Sequence, residues 1–309
     1  MSFAFVFPGQ GSQSVGMMNG FADIAVVKQT FIEASDVLKL DLWQLAQAGP
    51  AELQNQTVNT QPLMLTAGVA VYRAWKNLGG ADPAYAAGHS LGEYSALVAA
   101  GALSLQDALP LVVARAEAMQ HAVPEGQGAM AAIVGLEDDA IAAVCGEAAQ
   151  GQVLEAVNLN CPGQVVIAGN KAAVERGLEV AKAKGAKIAK ILAVSVPSHC
   201  ALMKPAAEKL ALLLTQIKIN PPAFPVLHNA DVKSYGDVNA IREVLVKQLY
   251  SPVRWSDIIR VMAQHKVTQI AECGPGKVLA GLNKRIDNNL QSFALTDAAA
   301  LDNAKSELK

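Results

Sequence analysis

The sequence predicts an α/β protein in which helices cover both faces of a mostly parallel sheet, with a smaller unit inserted into it. Short apolar strands alternate with helical segments in both terminal parts of the chain, a pattern typical of such a sheet. Glycine-rich turns follow apolar strands near Gly9, Gly88 and Gly274. From about Gly128 to Leu192 the order changes to β-α-β-β-α-β, the split β-α-β or ferredoxin-like arrangement.

The N-terminal part supplies the first strands and helices of the main unit. A strand, Phe3–Phe7, enters a turn in which Gly9 and Gly11 flank Gln10, so the backbone there can bend sharply toward a ligand. Pro62 is suited to the first position of a helix that ends at Gly79. Ser104 and Asp107 form a capping-box pattern. The predicted elements are helices over 21–38, 62–78, 92–100 and from 104, and a strand over 84–87.

The inserted unit and the C-terminal part complete the prediction. The insert spans 127–194 and divides the main unit into 1–126 and 195–309. Its strands are predicted over 129–134, 153–158, 164–168 and 187–193, with helices over 138–149 and 171–184. In the C-terminal part, helices are predicted over 204–216, 238–249, 256–264 and 276–286, and strands over 226–229 and 267–272.

Composition excludes several classes of protein. The chain has 309 residues, of which 52% are apolar and 17% charged, so it is not a disordered chain. A net charge of −2 gives no bulk electrostatic attraction to nucleic acid. The longest uncharged apolar stretch is well short of the roughly 18–20 residues that a membrane-spanning helix needs. The N-terminus lacks the basic region of a signal peptide, and the four cysteines show no Cys-x-x-Cys spacing. We therefore expect a cytoplasmic protein without a metal cluster.

The pentapeptide Gly88-His89-Ser90-Leu91-Gly92 carries the clearest chemical signal. It matches G-x-S-x-G between a predicted strand and a predicted helix, the context in which a sharp turn exposes a nucleophilic serine. The backbone N–H of Leu91 would then face an oxyanion formed on Ser90. The alternative is a structural serine that caps the helix.

A serine nucleophile needs a base, and the chain has five histidines. His89 adjoins Ser90 and should point away from it, while His121 and His265 end helices, where an imidazolium is favourable. His199 lies in a loop beside Pro197, and His228 ends a strand. Spacing favours His199 but leaves His228 open. Since no acid lies close before His199, a dyad oriented by a carbonyl or an amide is plausible.

Arg115 lies in the most apolar part of its helix. A buried guanidinium needs an anion, and its planar fork matches a substrate carboxylate. A structural salt bridge, or a side chain that reaches solvent, is the alternative.

The chain resembles, nearly end to end, the malonyl-CoA:acyl carrier protein transacylases of bacterial type II fatty acid synthesis and, more distantly, the acyltransferase domains of polyketide synthases. The motifs that carry the resemblance are 7–13, Thr60-Gln61-Pro62, 88–94, Arg115, 128–132, 160–169, 196–203, 248–255 and 274–279. It implies a hydrolase-like α/β core with a ferredoxin-like insert.

The resemblance also implies a role for each site residue. Ser90 would be acylated, with His199 as its base and Gln248 beside His199, where a carbonyl replaces the usual acid. Gln10 and Leu91 would supply the oxyanion-hole amides. Arg115 would bind the free carboxylate of malonate. Met119, one helical turn after Arg115, would line the acyl pocket or would be an ordinary core methionine.

The implied reaction is ping-pong transfer of malonyl from malonyl-CoA to the phosphopantetheine thiol of acyl carrier protein, without metal or cofactor, by a cytoplasmic monomer. The acidic carrier would bind a basic face, formed by Lys182, Lys184, Lys187 and Lys190 or by Lys277, Lys284 and Arg285. Two alternatives remain open. A thioesterase or carboxylesterase would pass the acyl group to water and would want an acid near His199. A catalytically silent docking subunit would form no acyl-enzyme.

Overall fold

The computed structural model describes residues 2–194 and 196–308. Within these ranges the strands are β1 (Ser2–Phe7), β2 (Tyr85–Gly88), β3 (Gly128–Val134), β4 (Leu154–Cys161), β5 (Gln164–Asn170), β6 (Ile188–Ile191), β7 (Val226–Leu227), β8 (Val267–Cys273) and β9 (Gln291–Leu295). The α-helices are α1 (Ala25–Leu38), α2 (Leu42–Ala48), α3 (Ala51–Gln54), α4 (Thr57–Asn77), α5 (Gly92–Ala99), α6 (Leu105–Ala122), α7 (Asp138–Ala149), α8 (Lys171–Ala183), α9 (Lys204–Gln216), α10 (Val238–Gln248), α11 (Trp255–Gln264), α12 (Val278–Ile286) and α13 (Ala298–Glu307). Among the described residues, no helix is both long and apolar enough to span a membrane.

The main sheet has the strand order β7-β2-β1-β8-β9, and each pair of neighbours runs parallel. Both of its faces are buried, as the alternation along β1 shows. Phe3, Phe5 and Phe7 belong to one apolar cluster, where Phe5 meets Trp75 of α4 edge to face. Ala4 and Val6 belong to the cluster on the other face. The predicted parallel sheet between helical layers is thus confirmed.

The second sheet has the order β4-β5-β3-β6 and is antiparallel throughout. With α7 and α8 it forms the predicted β-α-β-β-α-β unit. It also bonds to the main unit, because Leu159 N–H donates to the carbonyl of Val253 (2.9 Å) and Val253 N–H donates to Val157 (2.8 Å). The division into 1–126, 127–194 and 195–309 stays a prediction. Ser195 at its boundary, like Met1 and Lys309, lies outside the described residues.

The structure differs from the sequence expectations in two respects. Pro62 does not begin its helix, since α4 starts five residues earlier at Thr57 and the ring is accommodated inside it. The helices α2, α3 and α13 and the strand β9 were not predicted. Asp41 caps α2 and Asp297 caps α13, each accepting a hydrogen bond from a backbone N–H three residues later.

Candidate active site

The parallel strands of the main sheet end at one edge, and Ser90 lies there in the turn between β2 and α5. Its φ angle is 51°, a left-handed conformation that is costly for a residue with a side chain. The flanking glycines are sterically required. A Cβ on Gly88 would lie 1.8 Å from the carbonyl carbon of Gly92, and a Cβ on Gly92 would lie 2.0 Å from the oxygen of Phe7. The pentapeptide therefore folds into the sharp turn that its sequence predicts.

His199 is the histidine that meets Ser90. The Ser90 Oγ lies 2.6 Å from His199 Nε2, and His199 Nδ1 lies 2.8 Å from the carbonyl oxygen of Gln248. A carbonyl can only accept, so Nδ1 carries the proton and Nε2 accepts from the serine hydroxyl. Like Ser90, His199 has a left-handed backbone, with φ at 65°. Such conformations concentrate at functional sites.

The surroundings of His199 favour its neutral form. The ring is buried, and burial, followed by the nearby Arg115 charge, lowers the pKa of His199 from 6.5 to about 3. A neutral imidazole is the form that can take a proton from Ser90. The structure thus presents a serine hydroxyl donating to an unprotonated base.

The other four histidines have different partners. His89 Nε2 is 2.9 Å from Asn160 Oδ1, and His228 Nδ1 is 2.8 Å from Glu93 Oε1, so neither points at Ser90. His121 Nδ1 is 2.7 Å from the Glu117 carbonyl near the end of α6. His265 caps the end of α11. The geometry therefore selects His199 over His228, which spacing had left open.

A cavity of about 110 Å³ opens beside Ser90 and His199. Gln10, Leu91 and Met119 line it with Arg115, so the residues predicted from both terminal parts and the middle of the chain meet here. The loop that carries Gln10 approaches the serine turn closely, because a Cβ on Gly9 would lie 2.4 Å from the His89 carbonyl oxygen. Met130, Leu192 and Val194, all from the 127–194 segment, line the same cavity.

Arg115 is almost fully buried, with 1% of its surface exposed. Its Nη1 donates to Gln61 Oε1 (2.8 Å) and its Nη2 donates to Gln248 Oε1 (3.0 Å), and its guanidinium lies 5.5 Å from the centre of the Tyr94 ring. None of the ion pairs between described side chains includes Arg115, and its Nε has no hydrogen-bond partner among them. This cation is held by neutral amides and faces a cavity, which suits an anionic ligand.

Gln61 is a site residue to which the sequence assigned no role. It lies inside the Thr60-Gln61-Pro62 motif, and its amide also reaches Met119 Sδ at 3.9 Å. A long polar side chain within a largely apolar, buried helix was the available signal. Among the described residues, no group of His, Cys, Asp and Glu has the arrangement of a metal site.

Comparison with known proteins places these residues in a family context. Residues 4–291 match the model of the acyl transferase domain family. The malonyl CoA-acyl carrier protein transacylase of Escherichia coli (strain K12) is 57% identical over 300 residues, 97% of each chain. An acyl-carrier-protein S-malonyltransferase from Burkholderia pseudomallei 1710b has a TM-score of 0.98 at 56% identity, covering 99% of this chain and 100% of that one.

One solved relative includes a carrier protein. It is a malonyl-transacylase in complex with its type II polyketide synthase acyl carrier protein, with a TM-score of 0.98 and 54% identity. The match covers 99% of this chain and 100% of that one. Similarity to these proteins therefore extends over nearly the whole chain.

Proposed function

The chain belongs to the acyl transferase domain family, and from this premise we propose that it transfers malonyl groups from malonyl-CoA to acyl carrier protein. The observation that carries the proposal is that a serine–histidine dyad and a buried arginine, which forms no ion pair with a described side chain, line the same cavity. The dyad supplies acyl transfer, and the arginine selects an acyl group that carries its own carboxylate. A malonyl thioester carries both the carbonyl that the dyad attacks and a free carboxylate for the arginine.

The first half-reaction acylates Ser90. As its Oγ attacks the thioester carbon, its proton moves to His199 Nε2; the carbon–sulfur bond then breaks, and His199 returns the proton to the CoA sulfur. Malonyl-Ser90 remains. The Gln248 carbonyl holds Nδ1–H and so keeps the imidazole in the required tautomer, the role that an acid has in hydrolase triads.

The second half-reaction transfers malonyl to the carrier. The phosphopantetheine thiol gives its proton to His199, its sulfur attacks the ester carbon, and the carbon–oxygen bond breaks. The proton returns from His199 to Ser90 Oγ. The ping-pong sequence therefore regenerates the enzyme with no metal or cofactor.

Gln10 and Leu91 are the proposed oxyanion donors. Leu91 is buried directly after Ser90, at the start of α5, where backbone N–H groups are not used within the helix. The loop that carries Gln10 packs against the same turn. Removing one such donor typically costs about 3–4 kcal/mol of transition-state stabilisation.

Arg115 is the proposed ligand of the malonyl carboxylate. Gln61 and Gln248 hold the guanidinium fork, and Gln248 Nε2 also donates to the Ser90 carbonyl (2.9 Å). One amide side chain thus links the carboxylate-binding residue to the nucleophile. Met119 contacts Gln61 and lines the acyl pocket in this proposal.

The proposed partner is acyl carrier protein, bound by the enzyme as a monomer. In the first basic cluster, Lys182 and Lys184 are each paired with a glutamate. Lys187, directly before β6, and Lys190, within β6, are both exposed. Reversing the charge of Lys187 and Lys190 should raise the KM for the carrier, and an unchanged KM would move the docking face to Lys277, Lys284 and Arg285. In the same proposal, 127–194 is a subdomain that forms one wall of the pocket.

The test is a transfer assay with labelled malonyl-CoA and holo-acyl carrier protein. We expect loaded carrier from the wild-type protein and none from Ser90→Ala. Ser95→Ala is the matched control, since Ser95 is a buried serine of α5 whose Oγ has no partner among the described residues. Free malonate in place of loaded carrier would indicate the thioesterase, and no reaction of malonyl-CoA would indicate the silent subunit.

A further inference from the structure

The turn that carries Ser90 is strained, so its surroundings must hold it. A left-handed backbone at a residue with a side chain is costly and persists only when neighbouring structure enforces it. Gln248 holds the carbonyl side of Ser90, because its side-chain amide donates to the Ser90 carbonyl oxygen. The N–H side of Ser90 requires a partner of its own.

Asn229 supplies that partner with its side-chain amide. Its Oδ1 accepts from the Ser90 N–H (2.7 Å), and its Nδ2 donates to the carbonyl of Gly88 (2.7 Å). Asn229 is fully buried. One planar amide therefore bridges the two ends of the three-residue turn, accepting at one end and donating at the other.

The topology explains why Asn229 reaches the turn. β7 lies beside β2 in parallel, with Ala87 paired to Leu227. Continuing this register places residues 228 and 229 next to the point where β2 ends and the serine turn begins. The carboxyl ends of both strands meet at this edge of the sheet.

A buried acid holds Asn229 in turn. The backbone N–H of Asn229 donates to Glu93 Oε2 (2.8 Å), and His228 Nδ1 lies 2.8 Å from Glu93 Oε1. Glu93 is 0% exposed and His228 is 1% exposed. Because burying a carboxylate is costly unless both oxygens are bonded, this pair is expected to have one well-defined arrangement. Glu93 follows Ser90 by three residues, so it ties the start of α5 to the end of β7.

We propose that Asn229 is a positioning residue for the nucleophile, bridging Gly88 and Ser90, and that the buried Glu93–His228 pair holds it in register. The inference deepens the proposed function and rests on Ser90 as the acylated residue. A change in the backbone conformation of Ser90 would move both Ser90 Oγ and the Leu91 N–H, the proposed oxyanion donor. Misplacement by about 1 Å can cost on the order of 10²-fold in rate. Asn229, Glu93 and His228 are not among the residues that line the substrate cavity.

The test measures the reactivity of Ser90 in Asn229→Ala. The variant removes both bonds to the turn. We expect kcat to fall about 10²-fold while the KM for malonyl-CoA stays within about threefold, because the substrate contacts are untouched. Labelling of Ser90 by a small uncharged fluorophosphonate should slow in parallel. Asn289→Ala, at an exposed asparagine, is the control and should leave both rates unchanged.

A purely structural role gives a different result. Folded Asn229→Ala, verified by circular dichroism, with wild-type kcat and labelling rate would overturn the proposal whatever its melting temperature. Should that variant not fold, Glu93→Ala and Glu93→Gln replace it. Glutamine can still accept from the Asn229 N–H, so we expect Glu93→Gln to recover most of the kcat that Glu93→Ala loses. Wild-type kcat in folded Glu93→Ala would also overturn the proposal.

Fluorophosphonate labelling separates this proposal from the proposed function. If the wild-type protein forms no malonyl adduct yet labels at Ser90 faster than Asn229→Ala, the malonyl function fails and the positioning role stands. If the malonyl adduct forms equally fast in the wild-type protein and in Asn229→Ala, the positioning role fails and the function stands.

Discussion

The charge of Arg115 affects His199. The arginine lies close enough to help depress the pKa of His199, and burial lowers the pKa of Arg115 itself. A bound carboxylate would offset the arginine charge and so make His199 a stronger base in the substrate complex. In the proposed function, substrate recognition and base strength are therefore coupled through Arg115.

Arg115→Gln should change which acyl donor the protein accepts. A hydrogen bond to a charged group contributes about 1.5–3 kcal/mol, so losing a two-bond contact should lower kcat/KM for malonyl-CoA by about 10²-fold or more. The acetyl group has no carboxylate that could contact Arg115, so kcat/KM for acetyl-CoA should fall far less. Arg260→Gln, at an exposed arginine, is the control. Equal losses with both donors would contradict the role of Arg115.

The pH profile of Ser90 reactivity should reflect the low pKa of His199. Because its folded-state pKa is about 3, His199 stays neutral, and labelling by an uncharged fluorophosphonate should not decline as pH falls from 8 to about 5.5. An ordinary histidine would bend the profile near pH 6.5. In Arg115→Gln the bend should move to higher pH, since a positive neighbour is removed. A wild-type bend near pH 6.5 would contradict this explanation.

At the residue level, the sequence predicts the chemistry of a side chain better than it predicts which residues that side chain contacts. G-x-S-x-G predicts Ser90 because the glycines are local steric requirements. It leaves His199 and His228 open, because the histidine that meets Ser90 depends on a contact across 109 residues. Gln61 and Asn229 received no role for the same reason: a buried amide has no local signature, and only the assembled sheet edge shows what it bonds.

The serine turn depends on its glycines, because the absence of a Cβ at Gly88 and Gly92 lets β2, the turn and α5 pack closely. This is testable by stability. Gly88→Ala should destabilise the protein by about 3 kcal/mol or more, since its Cβ would overlap the Gly92 backbone.

Gly146→Ala is the matched control for Gly88→Ala. Gly146 lies within α7 with nothing near its Cβ position, so alanine should stabilise by about 0.5–1 kcal/mol. Urea unfolding measures both values. A Gly88→Ala protein as stable as wild type would contradict the close packing of the turn.

Element boundaries were predictable where local signals are strong. The bounds of α7 and α9 agree with the predicted 138–149 and 204–216, and Ser104 caps α6 as expected. The start of α4 was misplaced because Pro62 has a strong preference for first-turn positions, which tertiary packing overrides here. β9 escaped prediction because it is a partly exposed edge strand without a clear alternation of apolar residues.

At the scale of the whole molecule, a buried acid links fold stability to pH. Glu272, the residue before the end of β8, is fully buried, and its Oε2 accepts from the Ala280 N–H in the first turn of α12 (2.8 Å). Burial raises the pKa of Glu272 from 4.5 to about 7. Between these pH values the folded state binds more protons than the unfolded state, so this group makes stability fall as pH rises through that window.

Glu272→Gln removes this titration. The free energy of unfolding of Glu272→Gln minus that of wild type should be about 2 kcal/mol larger at pH 8 than at pH 5, given about 1.4 kcal/mol per pKa unit, because only wild type loses stability over this range. Urea unfolding at the two pH values measures the difference, and Glu208→Gln, at an exposed glutamate, controls for the substitution itself. A difference between variant and wild type that does not change with pH would contradict the buried titration.

The proposed function requires malonyl to be carried on Ser90, and intact mass spectrometry detects that intermediate. The protein is incubated with malonyl-CoA or acetyl-CoA and weighed before and after addition of holo-acyl carrier protein. We predict a malonyl adduct that maps to Ser90, exceeds the acetyl adduct, and disappears only when the carrier is added. An adduct on another residue, one lost equally fast in buffer, or no adduct at all would contradict the proposed function.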